Sequence, residues 1–330
     1  MSHAGDHSLN GRLRVRDLAS HARRAKSSRA DGAFQTFTIS CALYISLLML
    51  GITIALANGS WESIKRFGLS FLWTSEWNIS DGVFGSLSPI IGTLTTTVIA
   101  IAIALPLGLV VALLLAELLH PVASRIIGTT IEMLAAIPSI IYGMWGLFVL
   151  VPIMQKYVIP WLQATPLGKV PWLLGGPPLG VGILTAGIIL AFMVLPFITS
   201  VSRDVLGMVP TVTKEAGYGM GATMWEVTRK VSFRYGFGGF VGATFIGIGR
   251  AFGETMAVAY VLGNSFLIPK SIIEPGVTFA SAIANQFPES AGLQKSALME
   301  LGLILFLVSV VFQLIAQLWL RRVNKKVGIR

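Results

Sequence analysis

The stretch Glu215-Ala216-Gly217-Tyr218-Gly219-Met220-Gly221-Ala222-Thr223, continuing to Arg234, is polar and studded with glycine. Apolar segments at about 180–202 and 236–263 flank it. At about 1.5 Å rise per residue, each flank is long enough to cross a hydrocarbon layer of about 30 Å. The stretch is therefore a soluble island between two membrane spans. Working outward from it, the chain reads as all-α: a polytopic membrane helix bundle with one sizeable loop offered to a soluble partner.

Composition agrees with that reading. Hydrophobic residues make up 54% of the 330 positions and charged residues 12%, about half the charge of a soluble domain. The mean hydropathy is +0.75. Six apolar runs are span-length, at about 34–57, 90–117, 127–153, 180–202, 236–263 and 297–320. Pro106, Pro138 and Pro196 fall inside three of them. Such prolines are tolerated in lipid where neighbouring helices satisfy the freed backbone groups, so kinked helices are expected. The organisation is a basic N-terminal tail (1–33), a transmembrane domain (34–322) and a basic C-terminus (323–330). The tail is polar and the first apolar run is too long for a signal h-region, so no cleavable signal is expected.

The net charge of +10 is unevenly placed. Eighteen of the 25 lysines and arginines lie in the N-terminal tail, at Arg125, in the 203–235 loop and at the C-terminus. Six lie in the alternate loops, and Arg250 falls inside a span. The positive-inside rule then puts both termini and the loop in the cytoplasm. The basic surplus is topogenic and lipid-facing, which argues against a nucleic-acid partner. The external loops, about 58–89, 154–179 and 264–296, are rich in Trp, Pro, Gly and Ser. Trp61, Trp73, Trp77, Trp161 and Trp172 suit interfacial anchoring. Cys41, the single cysteine, lies in an apolar run and reads as a packed, inert thiol.

Covalent chemistry finds no support. There is no H-E-x-x-H, no G-x-S-x-G and no G-x-x-x-x-G-K-[ST] phosphate loop. His3, His7 and His21 lie in the tail and His120 at a span end, so no metal cluster and no catalytic residue is expected.

Within the loop, Thr213 is placed to cap a first short helix. Gly217, Gly219 and Gly221 weaken or end it, since glycine costs about 1 kcal/mol in a helix interior. A second helix resumes over Ala222–Lys230, with Glu226 and Lys230 paired at i and i+4. The product is a compact helical elbow. It reads equally as a generic amphipathic connection or as a docking element.

Inside the membrane, Arg250 and Glu254 stand at i and i+4 in the fifth span, on one helix face and able to pair. Ionisable groups in spans are costly and usually face the bundle interior or a watery cavity. Arginine's fork of donors suits a tetrahedral oxyanion, and Glu254 can hold the guanidinium or accept a proton from the anion. A plain packing ion pair is the other reading, and the residues leave both open. The small residues at four-residue spacing in Gly238-Gly239-Phe240-Val241-Gly242 and Gly249–Gly253 suit close helix contacts. Thr93, Thr95, Thr96 and Thr97 open the second span with hydroxyls that either meet a passing anion or bond their own helix backbone. Glu132 and Glu300, near span ends, read as interfacial or as gating groups.

The loop resembles the EAA motif of ABC-importer permeases. Glu215-Ala216-Gly217 stands for Glu-Ala-Ala, Gly221 for the motif glycine and Val231 for the later isoleucine. Gly217 replaces the second alanine, and Phe233-Arg234 stands where Leu-Pro is usual. Four further stretches resemble the permeases of phosphate ABC importers, the PstC type: Phe71–Asn78, Ala135–Leu147, Gly249–Val258 and Ser296–Gly302. The resemblance covers roughly residues 34–322. It implies the type I importer permease fold and a subunit of a phosphate importer in a bacterial or archaeal plasma membrane. The implied partners are a second, similar permease (PstA-like), two ATPase subunits (PstB-like) carrying ATP and magnesium, and an external phosphate-binding protein (PstS-like). No cofactor is implied on this chain. The implied ATPase contact is Glu215, Ala216, Gly217, Gly221, Ala222 and Thr223. The implied pathway residues are Arg250 and Glu254, with Thr95 and Thr96 as further candidates. A permease for molybdate or sulfate and a secondary transporter are the alternatives.

Overall fold

The computed structural model describes residues 6–327, with side chains described over 31–322 apart from Leu167. The expectations for the side chains of the basic tail and of the last residues at 323–330 therefore fall largely outside the described residues. Among the described residues the chain is helical, with only two isolated bridges, Asn78 with Val83 and Gly263 with Gly276. Two compact units divide at Asn58 and Gly59.

The first unit is made by α1 (Asp6–Gly59), whose last residue counts with the second unit. From Phe34 to Ile54 its large apolar side chains are exposed, as a lipid-facing helix requires. Cys41 is exposed with them. The expectation of a packed thiol is thereby corrected: this helix has no protein core of its own to bury a thiol in.

The second unit contains α2 (Trp61–Phe67), α3 (Leu87–Leu118), α4 (Pro121–Ala135), α5 (Ser139–Ala164) and α6 (Ile183–Gly207). It continues with α7 (Thr211–Gly219), α8 (Met224–Val227), α9 (Phe233–Phe252), α10 (Met256–Val261), α11 (Phe279–Gln286) and α12 (Gly292–Val327). With α1, the helices α3, α5, α6 and α12 are each long and apolar enough to cross a membrane.

Two expected spans differ. The run at 127–153 is not one helix: α4 ends at Ala135 and a new helix starts at Ser139. Pro138 has no N–H and disfavours the helical conformation of Ile137 before it, and its ψ of 137° turns the chain. α4, 15 residues long, spans only about 22 Å, and the crossing segment shifts to Ser139–Ala164. The run at 236–263 is broken too, between Phe252 and Met256, by Gly253-Glu254-Thr255. Pro106 and Pro196, by contrast, stay inside continuous helices.

The core is the contact of α3 with α6. Ala100, Ala104, Ala186, Ile189, Val194 and Ile198 are buried there. A Cβ on Gly187 would lie 2.6 Å from Ile99 Cγ2, so glycine is what lets these two helices approach, as is usual in membrane packing. α9 leans on α6 through Gly247 against Val194 and Ile198. It leans on α12 through Phe245 and Phe252, whose rings lie 5.4 and 5.3 Å from Phe312. A second cluster joins the segment after α2 to α11 and the start of α12, centred on Phe71, Phe84, Phe279 and Leu298. Trp61, Trp73, Trp161 and Trp172 are exposed. Trp77 is instead stacked on Phe266 at 4.7 Å and donates to Gln286 Oε1.

Candidate functional site

Two places in the second unit carry groups that its packing does not use up. The first is the break after α9. Arg250 sits in the last turn of α9. Its guanidinium lies 4.2 Å from the centre of the Phe197 ring on α6. Its Nε is buried and lacks a hydrogen-bond partner. The expected Arg250–Glu254 pair is absent among the described residues, which corrects the i, i+4 reading. The helix stops at Phe252, so Glu254 is no longer one turn above Arg250. Its carboxylate accepts instead from the Ala257 N–H at 3.3 Å, at the start of α10. The break thus leaves a cation in the membrane region with an aromatic face beside it and no ion-pair partner among the described residues.

Thr95 and Thr96 stand on α3. The Thr95 hydroxyl donates to Ile91 O at 2.6 Å and Thr96 to Gly92 O at 2.7 Å. No hydrogen bond joins either to Arg250 or Glu254, and both hydroxyl protons serve the helix's own carbonyls. Between α9 and α12 lies a cavity of about 480 Å³ that Arg250, Gly249 and Gln313 help to line.

The second place is the elbow. α7 begins at Thr211 after Pro210, and the Thr213 N–H already donates to Pro210 O. Thr213 is therefore inside the helix and does not cap it; the preset φ of Pro210 starts the helix earlier. Gly217 and Gly219 lie within α7. A Cβ on Gly217 would stand 3.0 Å from Val227 Cγ2, so α7 and α8 close on each other there. Gly221, at φ +81°, makes the turn, a conformation that glycine adopts freely.

The second helix starts at Met224, two residues later than expected, because Thr223 caps it. Thr223 Oγ1 accepts from the Glu226 N–H, and the Thr223 N–H donates to Glu226 Oε2 at 3.0 Å. This reciprocal box satisfies two otherwise orphaned donors. The Thr223 backbone N–H and then Lys230, 3.3 Å away, hold the Glu226 carboxyl below its usual value. Beyond Val227 the chain does not turn at Phe233-Arg234: a π-helical turn over Thr228–Ser232 runs directly into α9. One helix therefore leads from the elbow up to the break at Gly253.

Glu215, Ala216, Gly221 and Thr223 are exposed, while Ala222 is half-buried and Gly217 buried. Beside them Val212, Met220 and Trp225 are 73%, 84% and 65% exposed, so the elbow offers apolar area to something outside the chain. The elbow is also anchored. Lys214 Nζ lies 2.6 Å from Glu117 Oε1, and the Ser232 hydroxyl donates to the same oxygen at 3.2 Å. Sequence reasoning missed this clamp; its one signal was an acid, Glu117, near the end of an apolar run. Glu132 pairs with Arg203 at 2.7 Å, and Gly128 leaves the room that guanidinium occupies. Glu300 is not interfacial: it is 6% exposed, buried where α12 meets α2.

A helical membrane bundle with a broken span and an exposed, anchored elbow is a transporter permease. Residues 104–328 match the family model of the binding-protein-dependent transport system inner membrane component, and the chain belongs to that family. It is 48% identical over 299 residues to the phosphate transport system permease protein PstC of Pasteurella multocida, covering 89% of this chain and 93% of that one. With the protein of the same name from Haemophilus influenzae the identity is 48% over 301 residues, covering 90% and 95%. Among solved structures, an inward-facing MetNI methionine ABC transporter chain is similar with a TM-score of 0.50 at 20% identity, covering 72% of this chain and 94% of that one. That likeness supports the importer-permease fold.

Proposed function

We propose that this chain is the permease subunit of an ATP-driven, binding-protein-dependent importer of inorganic phosphate, and forms half of its transmembrane path. The observation that carries the substrate is the 48% identity to phosphate permeases along 89% of the chain. Arg250, at the end of α9 with its Nε lacking a hydrogen-bond partner, is the matching chemistry. Its planar guanidinium can grip two phosphate oxygens at once. Glu254, freed from Arg250, accepts from the Ala257 N–H in the first turn of α10. Thr95 and Thr96 would join the path only by releasing their intrahelical bonds.

In this reading both termini and the elbow face the cytoplasm of a bacterial or archaeal cell. A soluble binding protein delivers phosphate to the outer loops, and a second, similar permease completes the path. A pair of ATPase subunits, which hold ATP and magnesium, grips the two elbows. On this chain the grip falls on Glu215, Ala216, Gly217, Gly221, Ala222 and Thr223, with the apolar Met220 and Trp225 beside them. Because one helix joins the elbow to the break, a push on α7 and α8 is delivered along α9 to Arg250. The chain itself makes and breaks no covalent bond.

The test is uptake of labelled phosphate into vesicles that contain the whole importer, with binding protein outside and ATP inside. Arsenate, sulfate and molybdate are added as competitors. Phosphate uptake that needs both ATP and binding protein is expected. Uptake displaced by molybdate or sulfate in preference to phosphate would assign a different oxyanion, and uptake without the ATPase would indicate a secondary transporter.

A further inference from the structure

α12 is apolar over most of its length, yet it carries Gln313 and Gln317 within its membrane-crossing segment. Four residues apart, they share one helix face. Both are exposed and both line the cavity of about 480 Å³ between α9 and α12. Neither amide has a hydrogen-bond partner among the described residues. Ser309, one turn before them on the same face, donates to Leu305 O.

The opposite wall is unusually open. A Cβ on Gly242 would meet nothing within 4 Å, and one on Gly249 would meet only Gln313 Nε2, at 3.9 Å. Arg250 closes the same cavity, with its Nε unpartnered. Amides left unsatisfied against lipid are costly, so this stripe must face water, a solute or another chain.

We propose that Gln313 and Gln317 are anion-path residues, whose side-chain N–H groups receive a tetrahedral oxyanion from Arg250 and pass it along α12. The next residue of the same stripe is Arg321, exposed at the end of the crossing segment. Each step along the stripe is about 6 Å at the usual helical rise. A permeation path needs sites that bind well enough to admit the solute and weakly enough to release it. Neutral amides meet that need, because they donate to phosphate oxygens without the charge that would trap it. The open glycines of α9 leave the width for the anion to move. This assignment rests on the proposed role of Arg250 in phosphate transport.

The experiment uses the assembled importer in vesicles, with four variants of this chain: Arg250→Gln, the double variant Gln313→Leu/Gln317→Leu, Gln313→Glu and Gln313→Met. Initial phosphate uptake in the double leucine variant is expected to fall at least tenfold while the second permease still copurifies. Gln313→Glu, which removes a donor and adds a repelling charge, should fall further than Gln313→Met, which has a similar shape. Wild-type uptake in the double leucine variant, with Arg250→Gln inactive, would overturn the glutamine stripe and leave the role of Arg250 standing. Loss of the second permease from the purified complex would overturn it too, by showing the amides to be glue between chains. If Arg250→Gln transports normally, the phosphate path at Arg250 fails and the exit route that starts there fails with it.

Discussion

Lys214 of the elbow and Glu117 at the end of α3 face each other at 2.6 Å, with side chains only 18% and 9% exposed. Ser232 donates to the same carboxylate oxygen, so one acid ties both arms of the elbow, α7 and the turn leading into α9, to the bundle. The elbow is thus a lever with a fixed hinge.

Removing Glu117 should loosen that hinge. Glu117→Leu leaves the Lys214 ammonium half-buried without an anion, a loss of about 1–3 kcal/mol or more for a charged group. Phosphate uptake should drop while ATP hydrolysis by the complex continues. Lys214→Met should show the same phenotype, and the double variant should be no worse than either single one, as for two partners in one interaction. Additive losses would argue against a shared clamp.

Gly221 turns the elbow at φ +81° with open space where a side chain would be. Gly221→Val therefore tests the backbone alone. The strain is on the order of 1–3 kcal/mol, enough to move Ala222 and Thr223 out of register. Uptake should fall and the ATPase should be held less tightly in copurification. Full uptake in this variant would remove the elbow from the coupling role.

Glu226 carries a pH dependence with a definite sign. Its folded pKa is depressed below the ordinary carboxylate value, chiefly by the Thr223 backbone N–H. The capping contribution is therefore complete above about that value and is lost as pH falls through the lower, folded one. Hydrogen exchange of residues 223–230 should be flat from neutral pH down to the ordinary carboxylate range, after correction for intrinsic rates, and should speed up below it. In Glu226→Gln that acid step should disappear.

Arg250 lies against the Phe197 face at 4.2 Å, a contact worth about 0.5–2 kcal/mol. Phe197→Leu should weaken phosphate transport by misplacing the guanidinium without removing it, and Arg250→Lys should rescue poorly because an ammonium lacks the planar fork. Equal transport by Phe197→Leu and wild type would show that the ring does not position the cation.

At the centre of the bundle, Gly187→Val should destabilise the fold. Its side chain would press on Ile99, whose Cγ2 already lies 2.6 Å from an ideal Cβ. Overpacking of this kind costs about 1–3 kcal/mol. The expected readout is a lower thermal midpoint in detergent, with Ile99→Ala as the compensating second change.

Much of this molecule was legible in its residues, because the signals involved are local. Runs of apolar side chains declare themselves as spans, glycines declare the bend between α7 and α8, and Glu226 with Lys230 declares a helix by its spacing. The break at Pro138 was legible in principle as well, since an X-Pro step disfavours helix, but the same residue type at Pro106 and Pro196 passes through unbroken helices. Only the surrounding packing separates these cases.

What the tertiary structure alone decided is who meets whom. Arg250 and Glu254 are spaced for a helical ion pair, yet α9 ends between them, and the arginine finds Phe197 on another helix while the glutamate turns to α10. Glu117 and Lys214 carry no local cue to each other, and Gln313 gains its meaning from the glycine face of α9 across a cavity. Periodicity and propensity act over a few residues and so write the elements into the sequence. Partners between helices are set by how closely small residues let the backbones approach, and that is a property of the packed bundle.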